Sequence, residues 1–583
     1  MDGLPPSAPK PEFSRLSSEP WDALIVGTGM GGATLGYALA RAGWRVLFLE
    51  QGRSHLNAPA ALRGDYAERF FPRAEAAQPK HQAILARAGR WSGEVGDASR
   101  GSMARFIPFL GCGTGGSSTL YGMALERLFP CDFQPGPPEE HHGRETAQTA
   151  AWPIAYRELL PYYQAAERLF RPCGAYDPMR GEAPDGTKRA PPALNPAHEP
   201  LLAHLLGQGL HPYRLPVGCE YNKGDDRCQG FIDRAGVKND AAQICLRPAL
   251  ASGNAELLDE CQVLRLDASR TRVTSVACLC QGQRFSLRAK MVVLAAGALA
   301  TPCLLQRSHS RLWPQGLANA SGLVGRNLMR HFLDLYLLKG PAGAPIPGNL
   351  KELAFNDWYR DEYGKGGTVQ SFGALPPASM LVAELEDEWR AGGRRWPARL
   401  LRLGRPLVEW ILARQLARRL VLASILEDFS RRENRVCLGG PGEAPMVIEY
   451  RLQGADQARI EHFRVRMRKL LAPFDAILVK QAEQNRHLAH ACGTCRFGDD
   501  PQTSVLNRHN RAHGLDNLYV VDASFFPSSG GTNPGLTIAA NALRVAEHLH
   551  ERAGHAPSSS ARDRCASKVA ADVFKGQGEH AMA

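Results

Sequence analysis

The sequence predicts an α/β fold organised around a parallel sheet, and its first fifty residues provide the main observations. Residues 23–26 form a short apolar run that ends at a glycine, which is typical of a buried strand. A helical segment at residues 31–42 and a second apolar run at residues 45–49 follow. Three glycines in G-x-G-x-x-G spacing join the first run to the helix: Gly27, Gly29 and Gly32. This order of elements is typical of a doubly wound, Rossmann-like domain.

The glycine motif also predicts a ligand. The first glycine permits a tight turn, the second lets the backbone approach a pyrophosphate, and the third lets the helix pack on the strand. The helix start offers free amides and the positive end of its dipole to phosphates. Glu50 stands 23 positions after Gly27, where a carboxylate accepts hydrogen bonds from ribose hydroxyls and disfavours NADP. The segment therefore predicts a dinucleotide site, and the alternative is an ordinary strand–turn–helix.

Length and composition limit the classes of protein. A chain of 583 residues predicts two or more domains, and 44% hydrophobic with 22% charged residues is ordinary for a globular protein. The net charge of +12 comes mainly from arginine and forms no basic block at either end. We therefore expect no nucleic-acid partner. An acidic substrate, an anionic membrane surface and a merely solvated arginine-rich surface stay open as explanations.

Cysteine usage and the amino terminus predict a protein of a reducing compartment. The fourteen cysteines lack the regular pairing of a disulfide scaffold. Residues 1–21 contain no export signal, and the longest apolar run, residues 291–305, is too short to span a bilayer. We expect a cytoplasmic location, with peripheral membrane association or co-export with a partner as alternatives.

The middle of the first half alternates loops and helices. Residues 111–127 are rich in glycine and serine, which suits a loop that holds polar or anionic ligand atoms, although a flexible surface loop has the same composition. Residues 152–174 predict an amphipathic helix, and residues 175–200 a long loop. Cys219 and Cys228 have no zinc-type spacing, so we expect a structural role for them.

A second set of strands precedes the middle of the chain. Residues 255–266 and 291–296 read as strands, and residues 272–287 as a meander of short antiparallel strands. The segment at residues 297–308 predicts a turn followed by a helix with Thr301-Pro302 at its entry, where proline is tolerated.

Residues 331–484 differ in character from the preceding residues and predict a second domain that is inserted into the first. Its most unusual part is residues 390–419, with nine arginines and one acid. Apolar residues recur there at helical spacing: Leu400, Leu403, Leu407, Trp410 and Ile411. This pattern describes a basic amphipathic helix on an anionic membrane, and equally a helix that covers the core of its own domain.

The chemically distinctive residues gather near the carboxyl end. Residues 487–498 read HLAHACGTCRFG, and residues 517–549 predict a strand, a polar turn, a glycine-rich loop and a helix from about Gly535. The start of this helix predicts a second place for a negatively polarised ligand. Cys492 and Cys495 form C-x-x-C, but neither a thioredoxin-type helix start nor a second ligand pair accompanies them. We expect no metal site.

Five motifs together resemble the glucose-methanol-choline (GMC) oxidoreductases, in the order that this family shows and from about residue 22 to residue 549. They are the amino-terminal FAD fingerprint, the GGSS loop at residues 115–118, the GA..TPxLL segment at residues 297–305, H-x-x-G-T-C-R from His490, and V-D-A-S with T-N-P-x-L-T-I from Val521. The nearest similarity is to bacterial dehydrogenase-like members.

The resemblance implies a site and a cofactor, FAD. His490 matches the catalytic histidine, and Asn533 matches the second active-site residue. Glu427 is similar to a substrate-domain glutamate of some members. The positions that match cofactor-binding residues are Gly27, Thr28, Gly29, Gly32, Glu50, Gly116, Ser117, Val263, Asp522 and Asn533.

Two departures from the family pattern qualify this resemblance. Tyr121 stands where many members have asparagine, close to the expected reactive edge of the flavin. Residues 106–132 contain no histidine, so we expect non-covalent FAD.

Three functions follow as hypotheses. The first is an FAD-dependent dehydrogenase that oxidises a primary alcohol, sugar or polyol and passes electrons to an acceptor such as a quinone or cytochrome. The second is an oxidase that uses dioxygen and releases hydrogen peroxide. The third is a non-catalytic flavin-bearing partner subunit.

The predicted domains have the following boundaries. Residues 18–330 and 485–553 form the FAD-binding domain, with residues 131–215 as crossing or substrate-side elements. The resemblance implies that residues 331–484 form an inserted α+β substrate domain built on an antiparallel sheet. Residues 554–583 predict a disordered tail.

Overall fold

A computed structural model describes most of the chain. The described residues are 13–70, 79–101, 103–134, 151–223, 229–340, 351–361, 364–373, 375–391, 395–485, 488 and 490–554. Several sequence predictions fall outside them: the tail from residue 555, Cys228 and His487.

A five-stranded parallel sheet is the centre of the first part of the fold. Its strand order is β20-β10-β1-β2-β6, and every neighbouring pair is parallel. The strands are β1 (Trp21–Val26), β2 (Val46–Leu49), β6 (Ala255–Leu258), β10 (Ala289–Leu294) and β20 (Leu518–Val520). The predicted α/β, Rossmann-like core is confirmed. All four residues of β2 are buried, as expected for a sheet that is covered on both faces.

Helices and a smaller sheet cover this core. Helix α2 packs against α12, and α12 packs against α4. The described helices are α1 (Phe13–Ser18), α2 (Met30–Arg41), α3 (Pro79–Arg87), α4 (Tyr156–Phe170), α5 (Glu199–Gly207), α6 (Arg247–Ala251), α7 (Gly297–Arg307), α8 (Ala378–Ala391), α9 (Arg395–Leu403), α10 (Arg405–Leu416), α11 (Gly454–Leu470) and α12 (Gly535–Arg552). The meander predicted at residues 272–287 forms β8 (Val273–Cys280) and β9 (Gln283–Leu287), which join β7 (Cys261–Ala268) in a three-stranded antiparallel sheet. The strand predicted at residues 255–266 is two strands, β6 and β7.

A six-stranded sheet dominates the second part of the fold, in the order β19-β11-β16-β15-β12-β5, with every pair antiparallel. Its strands are β5 (Tyr213–Arg214), β11 (Phe332–Lys339), β12 (Leu353–Phe355), β15 (Gly367–Ser371), β16 (Arg419–Leu426) and β19 (Ile477–Val479). The edge strand β5 comes from well before residue 331. The division of the chain into domains at the predicted boundaries stays a prediction.

Two smaller sheets complete the described strands. One is the hairpin of β13 (Arg360–Asp361) and β14 (Gly364–Lys365). The other is a four-stranded sheet in the order β17-β18-β3-β4, and its strands are β3 (Val95–Asp97), β4 (Ala104–Phe106), β17 (Arg435–Leu438) and β18 (Met446–Glu449).

One sequence prediction about α7 is wrong. The helix begins at Gly297, so Pro302 lies inside it and not at its entry. Proline has no N–H to donate to the carbonyl of residue 298, and its ring crowds that carbonyl. The hydroxyl of Thr494 donates to the carbonyl oxygen of Ala298 instead, at 2.6 Å. A partner distant in sequence therefore makes the internal proline tolerable.

Candidate functional site

The carboxyl ends of four parallel strands converge at one edge of the central sheet. Gly27 follows β1, Glu50 follows β2, the Gly297 turn follows β10, and Asp522 stands just beyond β20. In open parallel sheets, ligands bind at this edge. The sheet topology therefore brings the Gly297 turn together with three segments that the sequence predicts to bind a cofactor, at Gly27, Glu50 and Asp522.

Glu50 links two glycine loops to the end of β2. Its carboxylate accepts hydrogen bonds from the amide and the hydroxyl of Thr28, at 3.0 and 2.6 Å. It also accepts from the amides of Gly52 and Gly113, at 3.0 and 3.1 Å. Burial raises the pKa of this carboxyl, while the hydrogen bonds oppose that rise. The residue predicted to bind ribose is thus also the group that holds the two loops together.

The glycines of the motif serve different purposes. A Cβ on Gly32 would collide with the carbonyl oxygen of Gly27, so packing of α2 on the turn requires glycine there. A Cβ on Gly29 would meet only the Cα of Gly116, at 4.0 Å. The protein's own packing therefore does not require glycine at position 29. A ligand that approaches the backbone closely at this position would explain why a glycine is present.

The second glycine loop contains Gly116, which lies opposite the open space beside Gly29; we call this space the gap. Gly116 begins a short 3-10 helix (Gly116–Thr119) with a positive φ of 52°. Ser117 is exposed and accepts a hydrogen bond from the amide of Gly111 at 3.0 Å. Val263 lies in β7, two residues after Cys261, whose amide donates to the carbonyl oxygen of Glu50. All three predicted residues are thus in segments that surround the edge of the sheet.

Asp522 fastens the loop after β20 to the start of α7. Its carboxylate accepts from the amide of Gly297 at 2.9 Å and from the hydroxyl of Thr301 at 2.5 Å. The amide of Ser524 donates to its other oxygen. Burial raises the pKa of Asp522. These contacts give Asp522 a structural role, and its binding of the cofactor stays a prediction.

His490 lies on a strained backbone beside this loop. Its φ is 60°, in the left-handed region that non-glycine residues rarely adopt. The segment after it is fixed to the polar turn after β20, because the amides of Gly493 and Cys495 donate to the carbonyls of Ala523 and Ser524. The structure therefore holds the predicted catalytic histidine in a conformation that the surrounding chain enforces.

A second histidine, His331, contacts the first and was missed by the sequence analysis. The Nδ1 atoms of His331 and His490 are 2.8 Å apart, and the rings meet edge to face with centroids 5.0 Å apart. His331 Nε2 lies 2.8 Å from the carbonyl oxygen of Gly530. No sequence motif marks His331, which simply precedes β11. Only the fold shows that it connects His490 to the loop that carries Asn533.

The contacts of His331 determine the tautomer of His490. A carbonyl oxygen only accepts, so Nε2 of His331 must carry a proton and donate to Gly530. Burial lowers the pKa of His331 to about 4, so the ring is neutral near pH 7 and its Nδ1 is an acceptor. The proton between the two rings therefore belongs to Nδ1 of His490. Nε2 of His490 is left as the nitrogen able to accept a proton.

Electrostatics keep His490 neutral. Its pKa lies well below the ordinary value because of burial, followed by the neighbouring His331 and Lys351. Lys351 is itself buried, and burial lowers the pKa of its ammonium group to about 8. No motif in the sequence marks this lysine, because a single lysine is ordinary in a loop. Its positive charge makes protonation of His490 harder.

Asn533 has an unused polar atom. The side-chain Oδ1 is buried and has no hydrogen-bond partner among the described residues. Buried amide oxygens without a partner are rare in folded proteins, so the atom is available to a ligand. Asn533 closely follows Ser529 and Gly530, whose carbonyls contact His331. His331 thus places His490 next to the Asn533 loop.

Glu427 does not act as a free carboxylate. It is completely buried, and Nζ of Lys365 lies 3.2 Å from its Oε2. The same ammonium group lies 3.5 Å from Asp132, which accepts a hydrogen bond from the hydroxyl of Tyr359 at 2.6 Å. The glutamate matched by resemblance is therefore part of a buried cluster in which one lysine contacts two acidic side chains.

The remaining candidates have structural contacts. The Tyr121 hydroxyl donates to the carbonyl oxygen of Asn239 at 2.7 Å. Cys492 and Cys495 are buried free thiols, and burial raises the pKa of both well above the ordinary range, so they are protonated and weakly nucleophilic. Within the described ranges, no group of three His, Cys, Asp or Glu side chains is arranged to hold a metal ion.

The residues present fit FAD. The gap beside Gly29 faces a second glycine loop, and α2 directs its free first amides toward that gap. The unpartnered Oδ1 of Asn533 lies in a loop next to the histidine pair. A dinucleotide fits the first feature, and a polar group or substrate fits the second.

The parallel sheet and the helices that cover it define the class of protein, an α/β protein with a Rossmann-like core. Family models for the GMC oxidoreductases match residues 21–333 and residues 431–542. The chain belongs to the GMC oxidoreductase family, whose typical cofactor is FAD and whose members act on alcohols. The predicted family is confirmed.

Relatives with known activities extend over nearly the whole chain. The 6'''-hydroxyparomomycin C oxidase of Streptomyces lividus is 30% identical, with 92% of this chain and 93% of the relative covered. The 2-methyl-1,2-propanediol dehydrogenase of Mycolicibacterium austroafricanum is 24% identical, with coverages of 92% and 96%. The crystal structure of pyridoxine 4-oxidase from Mesorbium loti shares the fold, with a TM-score of 0.59, 21% identity, and coverages of 91% and 99%.

Proposed function

We propose that this enzyme binds FAD without a covalent link and oxidises a primary alcohol, sugar or polyol to the carbonyl compound. His490 acts as the base, and the electrons pass to an acceptor other than dioxygen. The observation that carries the proposal is the histidine pair, in which His331 leaves Nε2 of His490 unprotonated.

His490 removes the hydroxyl proton of the alcohol at Nε2. An alcohol releases hydride from its carbon more readily as its oxygen becomes negative, so a base near that oxygen lowers the barrier. The low pKa of His490 keeps the imidazole neutral near pH 7, so the base is in its active form. The positive charge of Lys351 also favours negative charge on the substrate oxygen.

Asn533 holds the substrate without exchanging a proton. An amide both donates and accepts hydrogen bonds but does not ionise near neutral pH. Its unpartnered Oδ1 supports contact with a polar ligand. We infer that His490 and Asn533 bind the same substrate oxygen, one by accepting its proton and the other by hydrogen bonding.

The cofactor-binding part of the proposal assigns a place to each predicted residue. The loops at Gly27–Gly32 and at Gly116–Ser117 hold the phosphates, Glu50 the ribose, the Val263 backbone the adenine, and Asp522 the ribityl side. FAD bound in this way supplies the hydride acceptor. The absence of histidine from residues 106–132 supports a non-covalent complex.

An oxidase that releases hydrogen peroxide is the second candidate. It is favoured by the name of the Streptomyces lividus relative, an oxidase. The diol dehydrogenase among the relatives favours the first candidate.

The distinguishing experiment is an anaerobic titration of purified holoenzyme with primary alcohols, sugars and polyols while the visible flavin band is followed. We expect a member of the panel to bleach the flavin, and the bleached state to persist in air until an artificial acceptor is added. Rapid recolouring with peroxide production would establish the oxidase. A yellow protein that no alcohol bleaches would contradict both candidates and favour the non-catalytic partner subunit.

A further inference from the structure

A three-helix excursion interrupts the antiparallel sheet. Strands β15 and β16 are hydrogen-bonded neighbours, yet residues 372–418 separate them in the chain. Within this segment α8 packs against both α9 and α10. The break between α9 and α10 falls at Gly404, so the predicted single basic helix is two helices.

The outer side of α9 and α10 is apolar. Six of the fifteen large hydrophobic side chains exposed in the described part of the chain lie between positions 396 and 411. The most exposed are Trp396 and Leu403, both 76% accessible, and the others are Leu400, Leu407, Trp410 and Ile411. We call these six residues the apolar ridge. Large contiguous exposed apolar surfaces mark binding sites.

A different face of α9 already packs on the protein. Ala398 and Leu401 are buried there, whereas Leu400 and Leu403 point to solvent. Helix α9 thus covers part of its own domain, as one of the two sequence interpretations expects. The apolar residues on which that interpretation was based are nevertheless exposed and do not make this contact. The ridge is a second apolar face that the described chain leaves uncovered.

Positive charge surrounds the ridge. Arg399, Arg414 and Arg418 are exposed, and no described carboxylate lies within ion-pair distance of them. The acid of this stretch, Glu409, is paired with Arg405 at 2.6 Å. Arg414 also lies over the ring of Trp410, 5.7 Å from its centroid. The net charge available to a partner at this surface is thus positive.

We propose that the apolar ridge docks on an anionic phospholipid membrane. Helices that lie in a bilayer interface combine an apolar face containing Trp and Leu with arginines that contact anionic headgroups. Both features are present at the ridge, and two of its six members are tryptophan, which prefers the headgroup level. A second protein could bury the leucines equally well, but uncompensated arginines beside them favour lipid phosphates.

Among the described residues, no helix is long and apolar enough to cross a bilayer. The proposed contact is therefore peripheral, made by the ridge side chains and the arginines around them. It holds independently of which alcohol the enzyme oxidises.

Vesicle co-sedimentation of the holoenzyme tests this proposal. We expect binding to phosphatidylcholine vesicles that contain phosphatidylglycerol, and weaker binding to phosphatidylcholine alone. The affinity of the double variant Leu400→Glu/Trp410→Glu for these vesicles should be lower by about tenfold or more, because two apolar anchors are replaced by negatively charged side chains. The matched control is Leu206→Glu/Leu312→Glu, because both leucines are exposed outside the ridge and the change in net charge is the same. This control should bind like the wild type.

The electrostatic part has its own variant, Arg399→Gln/Arg414→Gln. Each arginine near an anionic surface contributes about fivefold in affinity, so this variant should lose about 25-fold on anionic vesicles and little on neutral ones. Flavin content should stay at the wild-type value in every variant. Absence of vesicle binding, or equal binding by wild type and ridge variant, would overturn the proposal. A wild-type dimer that the ridge variant converts to a monomer, without vesicle binding, would identify a self-association surface and overturn it as well.

Discussion

The chemistry proposed for His490 depends on residues that are distant in sequence. His331 lies 159 positions earlier and still contacts Nδ1 of His490. Its own Nε2 is held by the backbone of the Asn533 loop. Histidine function is set by the hydrogen bond on the nitrogen that does not react. His331 is therefore a positioning residue for the proposed base.

Replacing His331 tests this role. His331→Leu removes the acceptor for Nδ1–H of His490, so either ring nitrogen can carry the proton. We expect kcat to fall by roughly a hundredfold with little change in KM, because general-base efficiency is lost while substrate contacts remain. His331→Asn offers an amide oxygen near the former Nδ1 and should restore much of kcat. Equal losses in the two variants, or a loss confined to KM, would contradict the positioning role.

The pH profile tests the electrostatics of the base. Because the pKa of His490 lies well below 6.5, kcat/KM should stay level as the pH falls through 6.5 and decline only at lower pH. Lys351→Met removes a positive charge that opposes protonation, so the acidic limb should move to higher pH. Lys290→Met, which changes an exposed lysine paired with Asp22, is the control and should leave the profile unchanged. An acidic limb at or above pH 6.5 in the wild type would refute this account.

The sequence predicted the residues that belong to local patterns and missed those that do not. His490 and Asn533 lie in recognisable motifs, and so do the glycines. His331 and Lys351 acquire their roles only by burial beside His490. Sequence patterns do not predict which side chains that are distant in sequence come into contact in the fold.

Helix α7 also shows that local patterns are predictable from sequence whereas contacts between distant residues are not. Its existence was predicted, but proline was expected at its entry because an internal proline normally breaks a helix. The carbonyl of Ala298 is instead satisfied by Thr494, almost two hundred residues away. The position of the helix start thus depended on a tertiary hydrogen bond.

A double-mutant cycle tests that hydrogen bond. Thr494→Val leaves the carbonyl oxygen of Ala298 without its donor and should lower the free energy of unfolding by about 1–3 kcal/mol. In the Pro302→Ala background the helix supplies its own N–H to that oxygen, so the same change should cost less. The measurement is urea denaturation followed by circular dichroism. Equal costs in the two backgrounds would show that Thr494 and Pro302 are not coupled.

Substitutions in the glycine turn before α2 distinguish an effect on FAD binding from an effect on folding. Gly29→Ala fits the protein sterically, so the apoprotein should melt like the wild type, whereas affinity for FAD should fall because the added methyl enters the gap. Gly32→Ala should destabilise the fold itself through collision with the carbonyl of Gly27. Gly207→Ala, at an open position at the end of α5, is the control. Thermal unfolding of the apoprotein measures stability, and FAD titration followed by flavin fluorescence measures affinity. Unchanged FAD affinity in Gly29→Ala would contradict the proposal that FAD occupies the gap beside Gly29.

For the molecule as a whole, the sequence predicted the central parallel sheet and not the strand partners outside it. Short-range periodicity identified β1, β2 and α2. The pairing of β5 with β12, and of β3 with β18, joins residues more than a hundred positions apart. Register between such strands is set by burial in the finished fold, so sequence patterns alone do not reveal it.

The whole molecule thus presents one proposed chemical centre, where the loop of Asn533 and the segment of His490 meet at His331. The parallel sheet supplies the edge that we propose to bind FAD, and His331 directly precedes β11 of the antiparallel sheet. The central claim is that His490 is the base for alcohol oxidation at this junction.

Anaerobic stopped-flow reduction of the flavin by a substrate alcohol tests this claim most directly, in the wild type and in His490→Asn. Asparagine tolerates the left-handed backbone at this position but does not accept a proton near neutral pH. With equal FAD content in both proteins, we predict flavin reduction that is about 10² to 10⁴ times slower in the variant. Reduction at the wild-type rate would contradict the assignment of His490 as the base.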